Sequence, residues 1–156
     1  MTNAETQITN LLYAYADLID TGDLDGAAQL FEDAEIIRRP GGDIRVMNAD
    51  ELLAMWRDVI IIHEDGTPRT KHVITNPIIE VDEDAGTATC RSYYTVFQQT
   101  ANISLQPVVA GRYLDRFARR DGKWIFASRD YSLRDLDGNM TDHIRAFGQT
   151  TGGAFR

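Results

Sequence analysis

The spacing of apolar residues changes once along this chain, near residue 70, and that change limits the architectures open to it. Before it, Ile8, Leu11, Leu12, Tyr15, Leu18 and Ile19 recur every three or four positions, with Glu5, Gln7, Asn10 and Asp17 between them. That stripe predicts an amphipathic helix over residues 4–21. After it, residues 71–82, 87–99, 108–119 and 123–133 read as four long strands. The turns Glu83-Asp84-Ala85-Gly86 and Arg120-Asp121-Gly122 join the first and last pairs as hairpins. Helices first and antiparallel strands afterwards is the order of an α+β fold, in which the helices must cover one face of the sheet.

Local punctuation fills in the first half. Gly22 is a stop for the first helix. Asp23 caps a short second one through Leu24, Ala27, Ala28, Leu30 and Phe31. Ala34 to Arg39 is a short strand closed by Pro40-Gly41-Gly42. Asn48-Ala49-Asp50-Glu51 is a capping box, opening a third helix whose apolar face carries Leu52, Leu53, Trp56, Val59 and Ile60. No linker, repeat or low-complexity stretch interrupts the chain, so residues 1–156 are expected to form one domain. The segment 137–156, with Gly138, Gly148, Gly152 and Gly153, is expected to be a loose or partner-wrapping tail.

Composition removes several classes of function. With 156 residues, 43% hydrophobic and 26% charged, the chain has enough material for a sizeable core. A formal net charge of -8 is the opposite of a nucleic-acid footprint. The lone Cys90 excludes an internal disulfide and reads as a small core residue. The N-terminus has no basic region before an apolar run, and the longest apolar stretch, Val59 to Ile62, is too short to span a bilayer. A cytoplasmic protein without a membrane partner is therefore expected.

Few residues remain that could do chemistry. The three histidines, His63, His72 and His143, are too dispersed for a metal site. No nucleotide-binding glycine loop or nucleophile elbow is present, so no cofactor is expected. His72 opens the first long strand, and an imidazole in a pocket becomes a general base when a carboxylate orients it. Asp20, at the end of the first helix, is the best carboxylate candidate, with Asp17 and Asp23 behind it. His63 and His143 are expected in solvent. Arg129 and Arg134 lie on or just after the last strand, able to bind an oxyanion or to pair with acids such as Asp115 or Asp130. Trp56, Tyr94, Phe97 and Tyr113 belong to an aromatic set that is either core or pocket lining.

Tyr15-Ala-Asp-Leu-Ile-Asp20-Thr-Gly-Asp23 with Leu30-Phe31, then His72 to Asn76, then Gly111-Arg-Tyr113-Leu-Asp115, Arg119-Arg-Asp121-Gly122-Lys-Trp124 and Ser128-Arg129 resemble, in order, the motifs of the SnoaL-like family. This family belongs to the nuclear-transport-factor-2-like superfamily. The resemblance implies a curved, mostly antiparallel sheet closed by N-terminal helices into a cone-shaped barrel around an apolar pocket. It also implies self-association as a dimer or trimer. Members such as scytalone dehydratase, bile-acid 7α-dehydratase and hexachlorocyclohexane dehydrochlorinase eliminate a small leaving group with a histidine–aspartate pair and no cofactor. On that likeness His72 is the base, Asp20 its partner, and Tyr15 assists at the substrate carbonyl. Trp56, Tyr94, Phe97, Tyr113 and Arg129 are then expected to contact the substrate, a small, apolar, cyclic alcohol or ketone. Scytalone dehydratase has a second histidine on the next strand, where this chain has Phe97 or a neighbour, so one histidine is expected to act alone. An ideal helix separates Tyr15 from Asp20 by about 140°, so their convergence is implied by the resemblance and not by spacing. The same scaffold also hosts non-catalytic assembly modules, such as dioxygenase β subunits, and isomerases or cyclases with an aspartate base.

Overall fold

Seven strands and three helices make up the computed structural model, which describes residues 2–145; the three helices and five of the strands follow the sequence pattern, and two short strands, at residues 45–47 and 134–137, do not. Helix α1 (Ala4–Asp20) buries Ile8, Leu12, Tyr15 and Ile19 along the face that the sequence predicts. Each such side chain contributes about 1.5–3 kcal/mol when fully buried. The helix ends in a Schellman motif: the Gly22 N–H donates to the Ile19 carbonyl and the Asp23 N–H to the Leu18 carbonyl. Gly22 takes φ +84°, and a side chain there would collide with the Gly66 carbonyl oxygen. This stop fixes Asp20 in the last turn of α1. Helix α2 (Leu24–Gln29) follows at once, capped by Asp23.

Strand β1 (Glu35–Arg38), a 3-10 turn at Pro40–Gly42 and strand β2 (Arg45–Met47) lead into helix α3 (Ala49–Val59), whose capping box is complete. The long strands are β3 (Thr70–Asp82), β4 (Thr87–Gln98), β5 (Gln106–Arg120) and β6 (Lys123–Asp130), with a short β7 (Arg134–Asp137). The sheet runs β2-β1-β6-β5-β4-β3, and β7 pairs with β5. All pairings are antiparallel except β1 with β6, which is parallel. The sheet is therefore mixed and stays open, with edges at β2 and β3, while the helices pack on one face of it.

Two differences from the sequence pattern bear on the site. The last long strand stops at Asp130, three residues earlier than the apolar pattern suggests, because Asp130 takes the Ser132 N–H in a local turn. The chain then turns back along β5 as β7. The segment that follows is tied to the end of α3 by an isolated bridge between Ile60 and Ile144. Residues 137–145 are thus anchored in the fold, and the rest of the expected tail, 146–156, lies outside the described residues. Cys90 is buried in β4, where burial pushes its thiol up to about 12.

Candidate functional site

The site begins at the free edge of the sheet. β3 has a strand neighbour on one side only, so backbone N–H groups on the other side need other partners. Asp20 supplies one. Its Oδ2 accepts the His72 N–H at 2.7 Å, and its Oδ1 lies 2.6 Å from His72 Nδ1 and accepts the Thr70 hydroxyl at 2.8 Å. Both side chains of the pair are almost wholly buried. Burial raises the Asp20 carboxyl, but hydrogen bonds from the His72 ring and backbone and from Thr70 outweigh it, so its pKa falls below the usual value. An ionised Asp20 accepting the Nδ1 proton leaves Nε2 of His72 as the basic nitrogen.

His72 lines a narrow cavity of about 70 Å³ between the sheet, α1, α3 and the chain after β7. Its walls are mainly apolar, with Ile19, Trp56, Val96, Val109 and Met140 among them. Tyr15 lies beside His72 with ring centroids 6.2 Å apart, so helix and strand do bring these two together. The Tyr15 hydroxyl is hydrogen-bonded to that of Tyr131, just after β6. Tyr113 packs edge-on to Tyr15, and Tyr94 stacks on Tyr113 at 4.5 Å. Gly111 makes that stack possible: a Cβ on it would meet the Tyr94 hydroxyl at 2.7 Å.

Beneath the tyrosines lies Arg129. It is fully buried and forked onto Asp115 by two hydrogen bonds of 2.7 and 2.9 Å. Its guanidinium is 3.8 Å from the Tyr113 ring centroid and 4.4 Å from that of Tyr15. Burial raises the pKa of Tyr15, Tyr113 and Tyr131, and the Arg129 charge opposes that rise in each.

Several expected site residues come together here, and two do not. His72, Tyr15, Trp56, Tyr94 and Tyr113 line the cavity, and Asp20 holds His72 from behind. Arg129 does not reach the cavity, because Asp115 opposite it on β5 binds its fork and the tyrosines cover it. Phe97 is also outside. On β4 the even-numbered side chains from Ala88 to Gln98 face inward, so Phe97 faces out and lines a surface cleft with Lys71 and Leu105. The expectation of a solvated His143 fails as well. It is only 5% exposed, lines the cavity, and its ring centroid lies 6.4 Å from that of His72. Burial, aided by the His72 charge, lowers its pKa to about 3, so it is neutral under ordinary conditions. His63 is half-buried, with Nε2 2.9 Å from the Asp142 carbonyl oxygen. The sequence reading also missed Tyr131 and Met140, while Arg134, named there as a possible oxyanion partner, lines the wall with its fork on Asp137. Among the described residues, no three His, Cys, Asp or Glu side chains gather to hold a metal ion.

An open mixed sheet with helices packed on one face is the fold of the cystatin-like, nuclear-transport-factor-2-like class. The chain belongs to the SnoaL-like domain family within it, whose sequence model matches residues 1–130. No curated protein matches it in sequence. A Mycobacterium tuberculosis protein of unknown function, solved with one aspartate changed to asparagine, is 29% identical, with a TM-score of 0.63 over 83% of this chain and 70% of that one. Two Novosphingobium aromaticivorans structures, each 22% identical, share the fold. One is a provisionally assigned scytalone dehydratase (TM-score 0.62, 85% of this chain, 84% of that one). The other is the β subunit of a provisionally assigned aromatic-ring-hydroxylating dioxygenase (TM-score 0.63, 85% and 90%).

Proposed function

We propose that this protein is a cofactor-independent lyase or isomerase acting on a small, apolar, cyclic alcohol or ketone. One observation carries the reading: a histidine whose Nδ1 is held by a buried carboxylate lines an apolar cavity. In the dehydration version, His72 Nε2 takes a proton from the carbon next to the substrate carbonyl. The electron pair of that C–H bond moves toward the carbonyl oxygen, which the Tyr15–Tyr131 pair receives by hydrogen bonding. As the electrons return, the C–O bond of a hydroxyl one carbon further breaks. The imidazolium gives its proton to the departing oxygen, and the products are an enone and water. Asp20 stabilises the imidazolium and holds its tautomer, and Arg129 stabilises the charge on the tyrosine cluster through the ring faces. General acid–base catalysis supplies about 10²–10⁴ in rate. The rest comes from positioning in a dry cavity.

The likeness to a provisionally assigned scytalone dehydratase supports the dehydration version. Replacing His72 with Gln tests it: turnover disappears while the unfolding midpoint stays near that of the wild type. Turnover that survives the change rejects His72 as the base.

Self-association belongs to the same reading. The sheet face away from the helices exposes Val73, Ile78, Tyr93 and Leu114, and a second copy of the chain covers them in a dimer or trimer. Light scattering on the eluting protein measures the subunit number. A monomer at micromolar concentration rejects this part.

A further inference from the structure

His143 is held in place before any ligand arrives. Its carbonyl oxygen accepts the Ile61 N–H at 3.0 Å, and the Arg145 N–H donates to the Val59 carbonyl at 2.7 Å. The preceding Asp142 is fastened too: its carbonyl accepts Gln98 Nε2 at 3.0 Å, and its carboxylate accepts the Thr100 hydroxyl at 2.6 Å. These ties lock the imidazole into the cavity wall beside His72. Yet Nδ1 of His143 is buried with no hydrogen-bond partner. In one tautomer it is an unpaired donor and in the other an unpaired acceptor. A buried polar atom in that state costs stability unless something bound pairs with it. The wall that carries it lies beyond residue 130, where the family match ends.

We infer that His143 is a specificity-determining residue whose neutral imidazole hydrogen-bonds a second oxygen of the ligand, so that the cavity selects small cyclic ketones bearing a hydroxyl over the same ketones without one. This rests on the proposed carbonyl contact at Tyr15 and Tyr131 and adds a second polar contact to the ligand. Tyr15 and His143 each lie beside His72 in the cavity wall, with centroid separations from it of 6.2 and 6.4 Å. Sites that hydrogen-bond a substrate hydroxyl discriminate strongly against analogues lacking it, because the protein group is then left unpaired.

Binding in the His72→Gln protein separates this from catalysis, since the ligand is not turned over. The probes are 3-hydroxycyclohexanone and cyclohexanone, titrated calorimetrically into full-length His72→Gln and into the same protein carrying His143→Leu or His143→Asn. The hydroxy ketone binds the parent about ten-fold or more tightly than the plain ketone. His143→Leu brings the ratio close to one while the variant still melts cooperatively. His143→Asn, whose amide can pair as Nδ1 does, restores part of the preference. Equal binding of the two ketones by the parent, a preference untouched by His143→Leu, or binding of neither ketone overturns the inference. The base assignment fails on a different measurement, the turnover of His72→Gln.

Discussion

Asp20 grips His72 at two points, taking the ring Nδ1 on one carboxylate oxygen and the backbone N–H on the other. The ring is therefore oriented by a group that also fixes the strand carrying it. Asp20→Asn keeps the shape but has one acceptor oxygen where the carboxylate has two. Turnover is expected to fall about 10²–10⁴-fold, and stability by about 1–3 kcal/mol as a buried N–H loses its partner. Steady-state kinetics with urea unfolding on one preparation checks both. Full activity in Asp20→Asn contradicts the pairing.

Tyr131 shares the hydroxyl hydrogen bond of Tyr15 and lines the same cavity. Removing one donor from an oxyanion site costs about 10²–10³ in kcat. Tyr131→Phe and Tyr15→Phe should each produce a loss of that order, and the double variant should lose less than the product of the two. Independent, multiplicative losses would mean the hydroxyls do not act as a unit.

Arg129 and Asp115 are a fully buried ion pair. Burial drives the Asp115 carboxyl up, and the arginine opposes it. Arg129→Met leaves that carboxylate without its partner, and breaking a buried pair in this way costs about 3–5 kcal/mol. Exchanging both residues, Arg129→Met with Asp115→Leu, should recover much of the loss. Guanidinium unfolding of the three proteins measures it, and a single-variant loss below about 1 kcal/mol would match an exposed pair instead.

Acid should weaken the fold through His143 first. Its folded pKa is lowered to about 3, whereas in the unfolded chain it titrates near 6.5. Between those values the unfolded chain binds a proton that the native protein does not. Stability therefore falls as pH falls through that window, by about 1.4 kcal/mol per pH unit at most. The titratable groups facing His143 are His72, Asp20 and His63. Asp20 acts in the same sense at lower pH: its folded pKa is depressed, so its contribution is present above the unfolded value and lost as pH falls through the folded one. Urea unfolding between about pH 4 and pH 7 should slope upward for the wild type. The slope should flatten in His143→Leu, and an identical slope in both would remove His143 as the source.

The helix-then-strand order, the capped helix starts and the Gly22 stop were all readable in the sequence, because each is local chemistry. The helix end at Asp20 and the start of a strand near His72 were local too, but their meeting at one sheet edge was implied only by the family resemblance. Phe97 shows where such reading fails. Alternation tells which strand residues share a face, not which face is inside, and Tyr94 and Phe97, three apart on one strand, cannot share one. Arg129 reads alike as an oxyanion ligand or an ion-pair partner until Asp115 is seen opposite it. Tyr131 and His143 were beyond reach for another reason. Their positions depend on where β6 stops and on the chain turning back as β7, which no periodicity records.

The free edge of β3 gives the protein a built-in reporter. The His72 amide proton is shielded by Asp20 and not by a neighbouring strand, so its exchange with solvent requires the Asp20 carboxylate to let go of it. The same release leaves the His72 ring without its carboxylate partner. The exchange rate of this one amide therefore clocks how often the contact between the end of α1 and the edge of β3 opens.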